Sequence, residues 1–287
     1  MRIESRRRWA IAWLTGPAYL WLAVTIFLPL SAMLYFSFQK KGPFGRHASE
    51  FSLKHYEAFF TKGYLQDLMW RSLEMGFHVT LLCILIGFPA AYWLARRIRG
   101  RWREALFLLI VLPFWSNALV RIFSWTIVLR PDGVLDRAVH LVIPGLPTID
   151  LTDSYAAIII GLVHSYLPYM ILTCFLSLQA IDESLLEAAR SLGARSWTIL
   201  ARIILPLAVP GLAAGSILIF VPVIGSFFEP RLLGGPKGTV IGTVIEEQFT
   251  VVSNWPLGGA LSFILLAIVL LILAAASPVL KKHMSTT

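Results

Sequence analysis

Charged side chains are scarce in this sequence. Asp, Glu, Lys and Arg account for 14% of its 287 residues, hydrophobic residues for 57%, and the mean hydropathy is +0.73. This composition excludes an ordinary soluble globular domain and predicts a membrane protein. No Asp or Glu lies in the interior of any long apolar run. Carriers coupled to protons or sodium normally show ionisable residues or a broken helix near the membrane centre, and neither is evident here.

The motifs of several catalytic classes are also missing. The sequence contains no H-E-x-x-H, no G-x-S-x-G and no Walker A phosphate-binding loop, so the chain is predicted to be neither an enzyme nor an ATPase. The only two cysteines, Cys83 and Cys174, fall inside apolar runs and are predicted to be packing residues. His78 and His164 lack a third ligand, which favours core histidines over a metal site. No bound cofactor is expected.

Six charge-poor runs are long enough to cross a bilayer as helices, which takes about 20 residues each. They cover residues 9–39, 75–95, 105–128 with one interruption, 154–181, 203–228 and 254–280. The sequence therefore predicts an all-α membrane protein with six transmembrane helices. The first run follows a basic start but is too long for a signal peptide, so it is predicted to be a retained helix.

The basic residues are distributed unevenly over the connections between these runs. One set of connections carries most of them: Arg2, Arg6, Arg7, Arg8, Arg96, Arg97, Arg99, Arg101, Arg103, Arg190, Arg195, Arg202, Lys281 and Lys282. The positive-inside rule places these connections and both termini in the cytoplasm. The predicted order is a cytoplasmic tail (1–8), a first helix (9–39), an extracytoplasmic loop (40–74), a five-helix core (75–280) and a cytoplasmic tail (281–287). Anionic lipid headgroups explain the net charge of +9 better than nucleic acid does.

The predicted cytoplasmic connection at 182–206 has a distinctive sequence. It reads Glu187-Ala188-Ala189-Arg190-Ser191-Leu192-Gly193 and, after nine residues, Ile203-Ile204-Leu205-Pro206. Asp182 or Ser184 can cap a short helix, and Gly193 can end it in a left-handed conformation. Ser196 is predicted to cap a second short helix. An ordinary amphipathic connector between membrane helices is the simpler alternative.

This spacing resembles the EAA loop of permease subunits in bacterial ABC importers. The resemblance implies the permease fold of type I importers and a loop that docks on a partner ATPase through Glu187, Ala188, Ala189, Arg190, Gly193, Leu205 and Pro206. It also implies that partner subunits bind and hydrolyse ATP, that a second permease, either a different subunit or another copy of this chain, completes the pathway, and that an extracytoplasmic binding protein delivers the solute. The location would be the bacterial cytoplasmic (inner) membrane. A self-contained channel or secondary carrier is the distant alternative.

Further stretches resemble the permeases of spermidine and putrescine importers, in particular the first of their two paired types. They are Leu112-Pro113-Phe114-Trp115-Ser116-Asn117 with Val120-Arg121, residues 230–236, and Asn254-Trp255-Pro256-Leu257-Gly258. The same segments imply a polyamine cargo, although similar importers carry opines, phosphonates or ferric iron. The break at 229–236, followed by a short helix at 240–249, is either a contact for the delivery protein or a loop shaped by Gly and Pro.

Seven residues are candidates for the substrate path: Glu74, Trp115, Asn117, Arg121, Tyr166, Tyr169 and Glu229. Carboxylates and aromatic faces suit a polyamine, which is a multivalent cation with an apolar stem. Arg121 opposes such a cargo. In a straight third helix it would lie about 24 Å from the inner end at about 1.5 Å per residue, in the outer third of the membrane. Three explanations stay open: Arg121 pairs with Glu74 or Glu229, it snorkels outward, or the cargo is anionic or zwitterionic.

Overall fold

The chain is almost entirely helical. A computed structural model describes residues 2–41, 47–145 and 147–284, and the side chains of residues 15–40, 50–145 and 147–277. The chain folds into two compact units, one formed by residues 1–63 and 245–266 and the other by residues 64–244 and 267–287. Residues 245–266 group with the N-terminal part of the chain.

The first unit begins with the long helix α1 (Arg2–Ser37). Two short antiparallel strands, β1 (Gln39–Lys41) and β2 (His47–Phe51), lead to helix α2 (Lys54–Thr61). The first turns of helix α13 (Trp255–Met284) pack on the end of α1, where the rings of Phe36 and Trp255 have centroids 6.2 Å apart. Gly259 permits this approach, since a Cβ there would lie 3.1 Å from the carbonyl oxygen of Met33.

The second unit contains most of the buried core. Its helices are α3 (Gly63–Arg96), α4 (Arg101–Val111), α5 (Ala118–Leu129), α6 (Val134–Val142), α7 (Tyr155–Gln179), α8 (Glu183–Ser191), α9 (Ser196–Ile199), α10 (Leu205–Ile224) and α11 (Phe228–Leu233), and helix α12 (Ile241–Thr250) starts in it. Helices α7 and α10 pack closely against each other. A Cβ at Gly211 of α10 would come within 2.6 Å of the carbonyl oxygen of Thr173, so glycine lets the two backbones approach, as is common between membrane helices.

Five helices are long and apolar enough to cross a membrane, and six if one bent pair counts as a single span. The five are Thr15–Ser37, Gly63–Arg96, Tyr155–Gln179, Ser196–Ile224 and Trp255–Ser277. The bent pair, Arg101–Trp115 and Ala118–Leu129, turns by 97° at its break. The prediction of an all-α membrane protein is confirmed, and the predicted third run is the bent pair.

The break between α4 and α5 changes two sequence-based arguments. It consists of a 3₁₀ turn (Leu112–Trp115) followed by Ser116 and Asn117. Pro113 lacks an N–H, Ser116 is extended, and Asn117 caps a new helix, so the chain changes direction there. The depth calculated for Arg121 assumed one straight helix and is therefore wrong. The sequence showed no broken helix near the membrane centre, whereas the structure has one candidate span that is bent at a break.

Several element boundaries differ from the sequence prediction. Helix α3 starts at Gly63 rather than at residue 75, so the predicted outer loop 40–74 contains β2, α2 and the first turns of α3. Hydropathy does not detect those turns because they carry Gln66, Asp67 and Arg71. Helix α10 ends at Ile224, before the predicted end at residue 228. The short helix predicted at 240–249 is α12, although its first residues, Ile241 and Gly242, are buried.

Candidate functional site

The loop 182–206, named the coupling loop below, begins with a capped helix. The side chain of Asp182 accepts a hydrogen bond of 3.0 Å from the backbone N–H of Ser184 and caps α8. Of the two predicted caps, Asp182 is therefore the one used. The hydrogen bonds from Ser184 stabilise the carboxylate form and lower the pKa of Asp182 below its usual value. Local side-chain chemistry thus fixes where α8 starts.

The end of α8 has the conformation predicted for glycine. Gly193 has φ of +82°, in the region that side chains with a Cβ rarely adopt. Around it, the N–H groups of Leu192, Gly193 and Ala194 donate to the carbonyl oxygens of Ala188, Arg190 and Ala189 at 3.1, 2.9 and 3.0 Å. These bonds satisfy carbonyl groups that the last turn of a helix leaves free. The chain therefore reverses tightly at Gly193.

The second half of the coupling loop differs from the prediction. The residue that caps α9 is Arg195, without a side-chain cap bond, and Ser196 is the first helical residue. A π-helical segment, Leu200–Ile204, then joins α9 to α10. At its end the N–H of Leu205 donates a hydrogen bond to the carbonyl oxygen of Leu200, five residues earlier. The next residue is Pro206, which has no N–H to donate. The π-helical turn therefore lies where the series of α-helical backbone hydrogen bonds is interrupted.

One face of the coupling loop is anchored and the other is exposed. Leu186 and Ile199 are 2% and 4% exposed and hold the loop against the rest of the second unit. In the same loop, Leu192 and Trp197 are 88% and 75% exposed. The remaining predicted loop residues are also solvent-accessible: Glu187, Ala188, Arg190, Leu205 and Pro206 are exposed and Ala189 is half-buried. An exposed apolar surface with charges beside it is typical of a protein interaction site.

A cavity of about 390 Å³ lies beside α8. Tyr92, Glu183, Leu186 and Arg190 are among the residues that line it. Oε2 of Glu183 forms an ion pair with Nη1 of Arg96 at 2.8 Å, and Oε1 of Glu183 lies 3.6 Å from Nη1 of Arg190. Sequence reasoning treated Arg96 only as one of many topology-determining cations and missed this role. Its position at the last residue of α3, next to a predicted loop, was the available signal.

The second candidate region surrounds the break between α4 and α5. The side chain of Asn117 accepts a 2.8 Å hydrogen bond from the N–H of Leu119 and starts α5. One turn later, Nη1 of Arg121 donates to the carbonyl oxygen of Pro113 at 3.1 Å. Among the described side chains, no carboxylate lies within 4.0 Å of Arg121. The predicted pairing with Glu74 or Glu229 is therefore absent from the part of the chain that is described.

A cavity of about 400 Å³ opens beside Arg121. Ser116, Ser124, Trp125 and His164 line it together with the arginine. The rings of Trp125 and His164 meet edge to face with centroids 5.3 Å apart. His164 is exposed within this chain, so the prediction of a core histidine is wrong for this residue. The cavity combines a guanidinium, hydroxyls, an imidazole and an indole, and can take both polar and apolar groups.

Four of the seven predicted path residues lie near one another. Tyr166 and Tyr169 have ring centroids 6.0 Å apart, and Phe114 meets Tyr169 at 4.7 Å. Helices α5 and α11, which carry Arg121 and Glu229, both pack against α7, which carries the two tyrosines. A carboxylate oxygen of Glu229 accepts a 2.6 Å hydrogen bond from the hydroxyl of Ser226. Helices α5, α7 and α11 thus bring both charge signs and two phenol rings together.

The remaining predicted path residues do not join this group. Trp115 is 90% exposed. Asn117 is used as a helix cap. Glu74 is exposed on α3, in electrostatic range of Tyr155, whose hydroxyl lies 3.0 Å from Nδ1 of His78. In the described chain, no three His, Cys, Asp or Glu residues are close enough to hold a metal ion. Cys83 and Cys174 are buried free thiols, as predicted.

The fold is that of an ABC importer permease. A solved structure of a bacterial ABC transporter involved in the import of the acidic polysaccharide alginate has a chain that superimposes with a TM-score of 0.75, at 18% identity, over 98% of this chain and 99% of that one. At this identity the likeness concerns the fold alone.

Sequence comparison identifies the family. Residues 84–283 match the family model of the binding-protein-dependent transport system inner membrane component, and the chain belongs to this family. It is similar to the spermidine/putrescine transport system permease protein PotB of Haemophilus influenzae, at 35% identity over 91% of this chain and 92% of that protein. PotB of Escherichia coli K12 is 36% identical over 91% of this chain and 96% of that protein. The chain is a multi-pass membrane permease of an ABC importer.

Proposed function

We propose that this permease carries polyamines such as spermidine and putrescine across the bacterial inner membrane, driven by ATP hydrolysis in partner subunits. Both termini would lie in the cytoplasm. A second permease would complete the pathway, and a secreted binding protein would deliver the cargo. The main support is the identity of 35–36% with polyamine permeases over 91% of the chain. Permeases that share so much sequence over their full length commonly carry related cargoes.

The geometry of the coupling loop supports an ATPase partner. Leu192 and Trp197 form an apolar surface too exposed to be stabilised within this chain, and Glu187 and Arg190 provide charges beside it. An ATPase bound there would cover the apolar side chains and push on α8. The rigid turn at Gly193 and the anchors Leu186 and Ile199 would transmit that movement to the spans, which would switch between inward- and outward-facing arrangements.

The group around Tyr166 supports a cationic cargo with an apolar stem. Glu229 can attract an ammonium group electrostatically. The faces of Tyr166 and Tyr169 can contact the methylene chain and stabilise ammonium groups by cation–π interaction. Because one carboxylate and two rings form a weak site, a polyamine would enter and leave it readily, as conduction requires.

Arg121 favours a second candidate cargo, an anionic or zwitterionic solute. Its guanidinium has no carboxylate within 4.0 Å among the described side chains, and it lines a cavity with two hydroxyls. An unneutralised arginine repels a polyamine and attracts a carboxylate or phosphate. The two cargo classes therefore predict opposite consequences of neutralising this residue.

The test is uptake by the reconstituted importer. This permease is placed in vesicles with the ATPase, the second permease and the binding protein of its importer, and entry of radiolabelled spermidine and putrescine is measured with ATP and with a non-hydrolysable analogue. We expect uptake that requires ATP and the binding protein. Uptake without either component would favour a self-contained channel or secondary carrier. ATP-dependent transport of an anion with no polyamine uptake would leave the importer class intact and overturn the cargo.

A further inference from the structure

Arg96 makes an unusual set of contacts at the end of α3. Its Nη2 donates to the backbone carbonyl oxygens of Leu178 and Ile181 at 2.8 and 2.9 Å, and its Nη1 donates to Oε2 of Glu183 at 2.8 Å. Leu178 belongs to the last turn of α7, Ile181 follows that helix, and Glu183 is the first residue of α8. One guanidinium therefore joins the ends of three helices.

The burial of Arg96 distinguishes it from the neighbouring cations. Its side chain is 13% exposed, whereas Arg97 and Arg99 are more accessible and make no ion pair within the described chain. A residue needed only to set topology does not have to be buried. The planar fork of arginine can serve three acceptors at fixed angles, which the single ammonium of lysine cannot do. The geometry therefore specifies arginine and not merely a positive charge.

We infer that Arg96 is a positioning residue for transport, through which displacement of α8 moves the ends of α3 and α7. In the last turn of α7 the carbonyl oxygen of Leu178 accepts a long backbone bond of 3.4 Å from Ile181, and Arg96 adds a shorter one of 2.8 Å to the same oxygen. The same side chain holds the first turn of α8 through Glu183. Displacing α8 must then either break the charge-assisted bond between Arg96 and Glu183 or move the ends of α3 and α7 together with α8. Arg190, 3.6 Å from the other oxygen of Glu183, supports the carboxylate from the far side.

A purely structural role predicts different behaviour from this one. If Arg96 only capped α7, Glu183 would be dispensable, because the two carbonyl bonds do not involve it. If Arg96 links α8 to the spans, neutralising Glu183 must impair transport even though both carbonyl bonds remain. The two single changes should also fail to add, since each weakens the same charge-assisted link.

The experiment compares Arg96→Gln, Glu183→Gln and the double variant with the parent importer, and Arg97→Gln is the matched control one residue away. The inference rests on the proposed function for its uptake assay. In the complete reconstituted complex, copurified ATPase, ATP hydrolysis and spermidine uptake are measured together. We expect Arg96→Gln to lower uptake per ATP hydrolysed on the order of tenfold with the amount of complex unchanged. Glu183→Gln should do the same to a smaller extent, the double variant should be no worse than Arg96→Gln, and the control should match the parent.

A measurement without cargo separates this inference from the proposed function. Spin labels at Ser191, at the far end of α8, and at the exposed Leu176 of α7 report the distance between the two helices in the assembled complex. The distance distribution should broaden in Arg96→Gln and stay narrow in Arg97→Gln. Should the parent complex not transport spermidine or putrescine, the proposed cargo fails and the spin-label result alone decides the role of Arg96. The inference would be overturned if Arg96→Gln showed the same spin-label distance distribution as the parent. It would also be overturned if Glu183→Gln took up as much spermidine per ATP hydrolysed as the parent.

Discussion

Arg121 and Pro113 are joined across the break between α4 and α5 by a 3.1 Å hydrogen bond from the guanidinium to the carbonyl oxygen. The same carbonyl oxygen also accepts hydrogen bonds from the backbone N–H and the hydroxyl of Ser116 at 3.2 and 2.7 Å, and the arginine is one turn into the helix that follows the 97° bend. The hydrogen bond from Arg121 therefore links the two sides of the bend. This arrangement satisfies part of the guanidinium without neutralising its charge.

The first prediction concerns Arg121→Gln. Glutamine can keep a hydrogen bond to the Pro113 carbonyl but removes the charge. For a polyamine cargo we expect uptake to stay near the parental rate or to rise, because an electrostatic barrier is removed. For an anionic cargo uptake should fall by about tenfold or more, since a charge-assisted contact is lost. Initial uptake rates of labelled spermidine and of a competing dicarboxylate distinguish the two cargo classes. Arg121→Lys, which keeps the charge, is the control.

Glu229→Gln should act mainly on the encounter with a cationic cargo. The amide can still accept the hydrogen bond from Ser226, so the local structure of α11 is preserved. Losing the charge weakens attraction at the group of Tyr166 and Tyr169, and we expect the KM for spermidine to rise roughly a few-fold with little change in the maximal rate. Ser226→Ala serves as the control, because it removes the hydrogen bond and keeps the charge. Unchanged spermidine kinetics in Glu229→Gln would exclude this carboxylate from the path.

Local features of the coupling loop could be predicted from sequence, whereas contacts between distant segments could not. A cap at Asp182 and a left-handed Gly193 depend only on residues a few positions away, so spacing was sufficient. The Arg96–Glu183 pair joins residues 87 positions apart, and only the packing of α3 against α7 creates it. The same holds for the neighbours of Tyr166, which come from α5 and α11.

The break at Pro113 illustrates the intermediate case. An interruption of the third apolar run was evident in the sequence, and proline explains why the helix stops. The angle of 97° was not evident, because it depends on where Asn117 starts the next helix and on what α5 packs against. Hydropathy measures the length of an apolar segment and carries no information on its direction. The depth assigned to Arg121 failed for this reason.

Gly193→Val should uncouple transport from ATP hydrolysis without preventing membrane insertion. Its φ of +82° costs a residue with a Cβ about 1–2 kcal/mol, and more when the side chain is β-branched. A Cβ at this position would meet no atom within 4 Å, so backbone conformation alone is tested. Gly193→Asn is the matched control, because asparagine tolerates positive φ and should keep more of the uptake. Equal uptake by the valine and asparagine variants would contradict the proposed turn.

The cap at Asp182 leads to a prediction about pH. Hydrogen bonds from Ser184 hold the pKa of Asp182 below its usual value of about 3.9. A lowered pKa in the folded state means that the cap stabilises α8 fully above the unfolded value and loses this effect only as the pH falls through the folded one. Hydrogen-exchange protection of the α8 amides, corrected for intrinsic rates, should therefore be flat from about pH 5 to 8. Asp182→Ala should lower the hydrogen-exchange protection across this whole pH range, whereas Asp182→Asn should not, because asparagine can also cap the helix.

Cysteine labelling tests the orientation and the docking surface together. Ala188 is exposed on α8, and Lys237 and Pro131 are exposed in connections predicted to lie on the other side of the membrane. A cysteine at Ala188 should crosslink to the ATPase and should not react with a membrane-impermeant maleimide applied to intact spheroplasts. Cysteines at Lys237 or Pro131 should react with the maleimide and should not crosslink to the ATPase. Ala189 is half-buried and should crosslink more slowly than Ala188. Because the native Cys83 and Cys174 are buried, their background reaction should be low. Labelling of Ala188→Cys from outside the cell would reverse the topology and remove the ATPase from this loop.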